Sequence, residues 1–312
     1  MNYSTNTFKT KDKEIIFYYK WSVKKESLQG IVQISHGIGE HAGRYQHIAK
    51  VLQKQGYEVY ANDHRIHGKS VKNKEDLGYY DGPNFFKDAL NDMRQLSEII
   101  KKEHPTKKII LFGHSMGSLL SRDYVTKYSK DIQALVLSGT ASFMKGLGTF
   151  GLYCANVIGV FKGRQQSSSL LKSVFFTEFN KKFKPNRTKV DWISSDENQV
   201  DIFEADPYRI EDFSVSVFAD VLKGSKKVNA KSAFKKTPKT LPIYIFSGDQ
   251  DPVGEMGEGV TKVAENYKNA GCKNLTLKLY KGGRHEMLNE KNRDQVQQHL
   301  IYWLKEKLEN QN

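Results

Sequence analysis

Cysteine is almost missing from this chain of 312 residues. Cys154 and Cys272 are the only two, too few for a disulfide framework, and no Cys/His cluster has zinc-ligand spacing. Both read as packed thiols. Long apolar runs are missing too. No 18 consecutive apolar residues occur, which argues against a membrane-crossing helix. The first 21 residues alternate polar and apolar without the unbroken apolar segment of a secretory signal. A soluble, cytoplasmic protein is expected.

Acidic residues are in short supply: 49 Lys and Arg face 35 Asp and Glu, a formal charge of +14. Such an excess invites a nucleic-acid partner, because clustered cations neutralise phosphates and release counterions. The distribution speaks against one. Residues 141–190 carry nine cations against Glu178, residues 191–220 nine acids against Arg209, and residues 221–240 seven lysines and no acid. This segmented pattern makes no basic stripe and reads as solvated surface, so no nucleic-acid partner is expected. What is present is 38% hydrophobic residues, enough for a sizeable core.

Short β-rich runs alternate with helical patterns through the first 140 residues, as in an α/β fold with a mostly parallel sheet between helices. An antiparallel hairpin is predicted over residues 8–10 and 14–21. Strands follow at 31–35, 58–62, 108–112 and 134–138. Helices are predicted at 44–55, stopped by Gly56, at 84–103, closed by His104-Pro105, and from the turn after 112 to about 128. The same alternation returns with strands at 243–246 and 275–280 and helices near 257–269 and 293–308. Residues 141–235 interrupt it. So long a segment cannot be a bare loop inside a compact domain, and a helical cap over the carboxyl ends of the strands is expected.

Gly113-His114-Ser115-Met116-Gly117 matches Gly-x-Ser-x-Gly, with an apolar strand before it and a helix after it. Its glycines suit a strained turn that pushes Ser115 Oγ into a cleft, at a helix N-terminus whose free N–H groups favour a developing oxyanion. A serine hydroxyl needs a base, itself oriented by a third group. Asp251 lies just past one late strand and His285 just past the next. Asp249 is the rival acid; directly after Gly248, it is placed to brace the turn. His36-Gly37-Ile38-Gly39-Glu40-His41 follows an early strand, with glycines that admit close backbone approach to a ligand. His36 and His41 read as residues that shape this loop by hydrogen bonding, with metal ligation as the other reading.

Together these motifs resemble the monoacylglycerol lipase and lysophospholipase-like branch of the α/β-hydrolases, the serine aminopeptidase S33 type. The matching residues are the loop 36–41 with Arg44-Tyr45, the Ser115 turn, Gly248 with Asp251-Pro252-Val253-Gly254, and Tyr280 with the run 284–290. Trp192-Ile193-Ser194 and Asp206-Pro207 match as well, so the likeness spans essentially the whole chain. One position departs. Where the family reads Asp-x-Arg-Gly-His-Gly, this chain has Asp63-His64-Arg65-Ile66-His67-Gly68, and a positive φ at Ile66 would strain it by about 1–2 kcal/mol.

The resemblance implies an eight-stranded, mostly parallel sheet flanked by helices. The core would comprise residues 1–140 and 236–312, with the cap, 141–235, inserted after the sixth strand. It implies the chain order Ser115, Asp251, His285 for nucleophile, orienting acid and base. Backbone N–H groups of Ile38 and Met116 would form the oxyanion hole, framed by His36, Gly37 and Gly39 on one side and Gly113, His114 and Gly117 on the other. No cofactor or metal is called for. The expected substrate is a small-molecule lipid ester, with an aminopeptidase-like amide hydrolase or a non-catalytic lipid-binding relative as alternatives. Phe143, Met144, Leu147, Phe150, Leu152, Tyr153, Val157, Ile158, Val160 and Phe161 could line an acyl tunnel, face a membrane or simply pack the cap. Lys145, Lys162, Arg164 and Lys172 beside them would favour peripheral contact with an anionic surface.

Overall fold

Four runs that read as strands lie side by side in the middle of one sheet. In the computed structural model, which describes residues 3–168 and 177–309, eight strands are ordered β1-β2-β4-β3-β5-β6-β7-β8. These are β1 (Tyr3–Lys9), β2 (Ile15–Trp21), β3 (Gly30–Ser35), β4 (Tyr57–Asn62), β5 (Ile109–His114), β6 (Ile132–Ser138), β7 (Ile243–Gly248) and β8 (Leu275–Tyr280). From β4 to β8 every neighbour is parallel; β1 and β2 are antiparallel at the edge. Strands β3, β4, β5 and β7 are buried along their whole length, as a sheet covered on both faces requires. This is the α/β-hydrolase architecture.

Strand β1 begins five residues before the predicted start. Only Phe8 on it is buried, so it carries no alternation to read, and seven backbone pairings with β2 define it instead. Most other elements fall close to expectation. Helix α1 (Gln46–Lys54) is preceded by a 3-10 turn at Ala42–Tyr45, and Gly56 takes φ +84° after it. Helix α2 (Phe85–Glu103) starts where the Asn84 side chain accepts the Lys87 N–H. Helix α3 (Met116–Tyr128) is buried on every side from Met116 to Val125, which fixes the nucleophile turn rigidly.

Between β6 and β7 run α4 (Lys145–Lys162), α5 (Glu178–Lys181), α6 (Glu197–Glu204), α7 (Val215–Val228) and α8 (Lys231–Lys236). Helix α7 buries Val215, Val217, Phe218, Ala219 and Val228 in the same core as the apolar faces of α2 and α3. Arg122, wholly buried on α3, bonds to the Ala141 carbonyl where this segment begins and to the Val228 carbonyl near its end. Helices α9 (Glu258–Asn269) and α10 (Arg293–Glu309) complete the flanks. Among the described residues no helix is long and apolar enough to cross a membrane. Lys172 lies outside the described residues, as do the side chains of Lys145, Leu147 and Lys162.

Candidate active site

Strands β3, β5, β7 and β8 are parallel, so the loops that follow them leave the same edge of the sheet, where α/β folds place their ligands. Ser115 sits between β5 and α3 at φ +51°, ψ −119°, a strained position for a residue with a side chain. The elbow is tight. A Cβ on Gly117 would sit on the Ser35 and His36 carbonyls, and one on Gly113 would meet the Gly117 backbone and Ser121 Oγ. The Ser115 N–H is held by the Ser138 carbonyl at 3.0 Å.

His285 and Asp251 meet. His285 Nδ1 lies 3.0 Å from each carboxylate oxygen of Asp251, which is fully buried. Ser247 Oγ donates to Asp251 Oδ2 at 2.7 Å and the Val253 N–H to Oδ1 at 2.9 Å. Burial pushes the Asp251 carboxyl up, but His285 and these donors outweigh it and hold the group ionised. Burial likewise opposes a proton on His285, and the charge of Asp251 more than reverses this, so its pKa is raised. With Nδ1 committed, Nε2 bonds no protein group among the described residues. The rival Asp249 turns away and accepts the Gly282 N–H at 2.8 Å.

Side chains hold two peptide N–H groups of the loop after β3. The Gly37 N–H donates to Glu40 Oε1 at 2.7 Å and the Gly39 N–H to His67 Nε2 at 3.3 Å. His36 Nε2 accepts the His64 N–H at 2.9 Å, so its proton is on Nδ1, which donates to the Gly37 carbonyl at 2.7 Å. That carbonyl shares its planar peptide with the Ile38 N–H, which therefore points the other way. Neither the Ile38 nor the Met116 N–H meets a protein acceptor among the described residues. A Cβ on Gly37 would lie 3.1 Å from Ser115 Cβ, so this loop and the elbow face each other. His41 is committed too, with Nε2 on Asp206 and Nδ1 accepting the Gly43 N–H. His114 packs its ring 4.8 Å from that of His285 and bonds Ser138 Oγ at 3.1 Å.

A cavity of about 130 Å³ opens onto Ser115 and His285, walled by Ile38, Val190, Trp192, Ile193, Phe203, Ile210 and Phe213, with Lys189, Arg209 and Glu211 among its polar residues. Among the described side chains, none between 143 and 161 lines it. The apolar wall comes instead from later in the insertion, where aromatic residues are interspersed among charges and show no periodicity. Trp192, whose ring is 5.2 Å from that of His285, could have been found only through its family motif. Gly139 was also missed. It follows β6 at φ +56°, and a Cβ there would lie 2.9 Å from the His285 ring; a glycine directly after an apolar strand is its one signal.

The chain is similar to known proteins. A monoacylglycerol lipase of Mycolicibacterium smegmatis is 28% identical over 293 residues, covering 93% of this chain and 92% of that protein. The monoglyceride lipase of Mus musculus is 27% identical, covering 84% of this chain and 77% of its own. A thermostable carboxyl esterase from Bacillus coagulans, solved with glycerol, superposes with a TM-score of 0.91 at 26% identity, covering 99% of both chains. The family model described as Hydrolase_4, serine aminopeptidase S33, matches residues 26–292, and the chain belongs to that family of α/β-hydrolases.

Proposed function

We propose that the chain is a serine hydrolase that cleaves carboxylic esters of lipid-like alcohols, of the monoacylglycerol lipase or lysophospholipase type. The observation that carries this reading is His285, held by both oxygens of buried Asp251 with Nε2 left unengaged, beside a serine on a strained elbow. His285 takes the Ser115 proton as Oγ attacks the ester carbonyl, and Asp251 stabilises the imidazolium. The alkoxide forms against the Ile38 and Met116 N–H groups. His285 then passes the proton to the leaving alcohol. Water, deprotonated by the same histidine, releases the fatty acid from the acyl-enzyme.

The apolar wall from Val190 to Phe213 suits an acyl chain, and the names of the lipase relatives point to the same substrate class. An aminopeptidase needs a carboxylate for the substrate amine. Glu40 and Glu286 are engaged by Arg44, and Glu211 by Arg209 at 2.7 Å, which favours the ester. Residues 141–235 would act as a cap through that wall. Helix α4 faces outward: Phe161 is 84% exposed, Val160 81%, Tyr153 67% and Phe150 55%, while Ala155 is buried. This face fits a lipid surface.

Ser115→Ala should lower turnover of p-nitrophenyl butyrate by at least about 10³-fold and abolish fluorophosphonate labelling, with the melting curve retained. Unchanged turnover overturns the assignment. A profile of p-nitrophenyl ester chain length, run beside an aminoacyl-naphthylamide, tests ester against amide.

A further inference from the structure

Three charged side chains, two of them at the wall of the cavity, take no part in the chemistry above. Glu40 receives the Gly37 N–H and the Tyr45 hydroxyl on Oε1, each at 2.7 Å, and Arg44 Nη1 on Oε2 at 2.8 Å. Arg44 then reaches both oxygens of Glu286, at 2.9 and 2.7 Å. Its guanidinium also lies 4.6 Å from the centre of the Phe203 ring, in the cavity wall. Glu286 follows His285 in the chain and is braced by Asn289 Nδ2 at 2.7 Å, while its N–H donates to the Ile193 carbonyl. All three ionic side chains are at least nine-tenths buried.

Stability does not account for this group. Taking two carboxylates and one guanidinium out of water costs as much as their attraction returns, and apolar replacements of such groups are often neutral or stabilising. What the group does is mechanical. The loop with Ile38 leaves β3 and the loop with His285 leaves β8, and β5, β6 and β7 separate those strands in the sheet. No ladder ties the two loop ends together. The bidentate fork of Arg44, rigid and planar, spans that gap.

We propose that Glu40, Arg44 and Glu286 are positioning residues: a buried clamp that fixes the loop of the Ile38 oxyanion donor against the loop of the His285 base. The inference rests on the hydrolase reading given above. Glu40 aims the donor by holding the Gly37 N–H, and Arg44 carries that alignment to the residue next to the base. The charge of the clamp also acts on His285. That ring is faced by Asp251, by the neutral rings of His114 and Trp192, and by Glu286 and Glu40 with Arg44 between them. Removing the Glu40 charge takes away part of what favours the imidazolium.

The test uses the full chain with p-nitrophenyl butyrate from pH 5.5 to 9. Glu40→Gln is expected to lower kcat by about 10- to 100-fold, the range for a misaligned oxyanion donor, with KM within about threefold. The acid limb of its kcat/KM profile should move to lower pH. Arg44→Lys keeps the charge but cannot fork across the oxygens of both glutamates, and should lower kcat without that movement. Tyr45→Phe, which leaves every charge in place, should lower kcat by about 2- to 5-fold. A folded Glu40→Gln enzyme with unchanged kcat and acid limb overturns the clamp. Should that variant not fold, a wild-type kcat in both Arg44→Lys and Tyr45→Phe overturns it equally. Ser115→Ala in the same assay separates the failures: if it stays active the nucleophile is wrong, and if it is dead while Glu40→Gln is unaffected the clamp alone is wrong.

Discussion

Ile66 sits at φ +64° where the family carries glycine, so the strain implied by the departure from the motif is present. A side chain in the left-handed region costs about 1–2 kcal/mol. The same side chain is only 8% exposed and packs in the main core, and burying an isoleucine contributes about 1.5–3 kcal/mol. The two terms nearly cancel, which explains how the chain tolerates the residue. Ile66→Gly removes strain and burial together and should change stability by no more than about 1–2 kcal/mol. Ile66→Ala keeps the strain and loses the burial, so it should cost about 2–4 kcal/mol. Urea denaturation of the three proteins checks this order; an alanine variant as stable as the glycine variant would mean that φ at this position relaxes freely.

Helix α4 poses the corresponding question for an element. Its inner side, with Ala155 buried and Leu152, Cys154 and Ile158 partly buried, packs toward the body, while Val160 and Phe161 stand in solvent. Arg164, half exposed, lies 3.7 Å from Asp220, and the exposed apolar face offers an attraction to a bilayer that needs no charge. Flotation with neutral phosphatidylcholine vesicles should carry the wild-type protein. Val160→Asp with Phe161→Asp should reduce the bound fraction at least about tenfold, since each buried apolar side chain is worth about 1.5–3 kcal/mol. Turnover of a soluble ester should not change. Wild-type protein left at the bottom of both neutral and anionic gradients overturns the proposed contact. Legibility in the sequence follows how local each signal is. Strands β3, β5 and β7 announce themselves by continuous burial, and Ser115, Asp251 and His285 by glycine-marked turns at strand ends. Strand β1 has almost no buried side to read. The bond from Arg44 to Glu286 joins residues 242 positions apart, and no window of sequence contains it. Phe150, Tyr153, Val160 and Phe161 were legible as apolar but not as exposed, because helical apolar content does not say which neighbour it meets.

For the whole molecule, the telling feature is how many histidines are sealed inside it without charge. His36, His64 and His67 cluster behind the loop after β3, with ring centres 4.2–6.4 Å apart, and His114 lies under the elbow; all are buried. Burial and mutual repulsion lower the pKa of His64 and His114 to about 3, that of His67, chiefly through burial, to about 4, and that of His36 well below the usual value. In the unfolded chain each titrates near 6.5. As pH falls through that value the unfolded state takes up protons that the folded state refuses, so stability is lost as the solution is acidified. Asp92 works in the opposite sense, because burial raises its pKa to about 6; burial also raises Asp63 and Glu40, while His47, lowered by burial, joins the other histidines. His285, with its pKa raised, gains its share before pH 6.5 is reached and adds no slope below it. The lowered histidines outnumber the raised carboxyls, and each one left uncompensated removes about 1.4 kcal/mol per pH unit below 6.5, a sizeable share of the whole stability of an ordinary domain, about 5–15 kcal/mol. Urea midpoints at pH 7, 6 and 5 should therefore fall ever more steeply, with the oxyanion loop lost in the same transition as the fold. A midpoint that barely moves over this range would show that the histidines behind the loop accept protons in the native state.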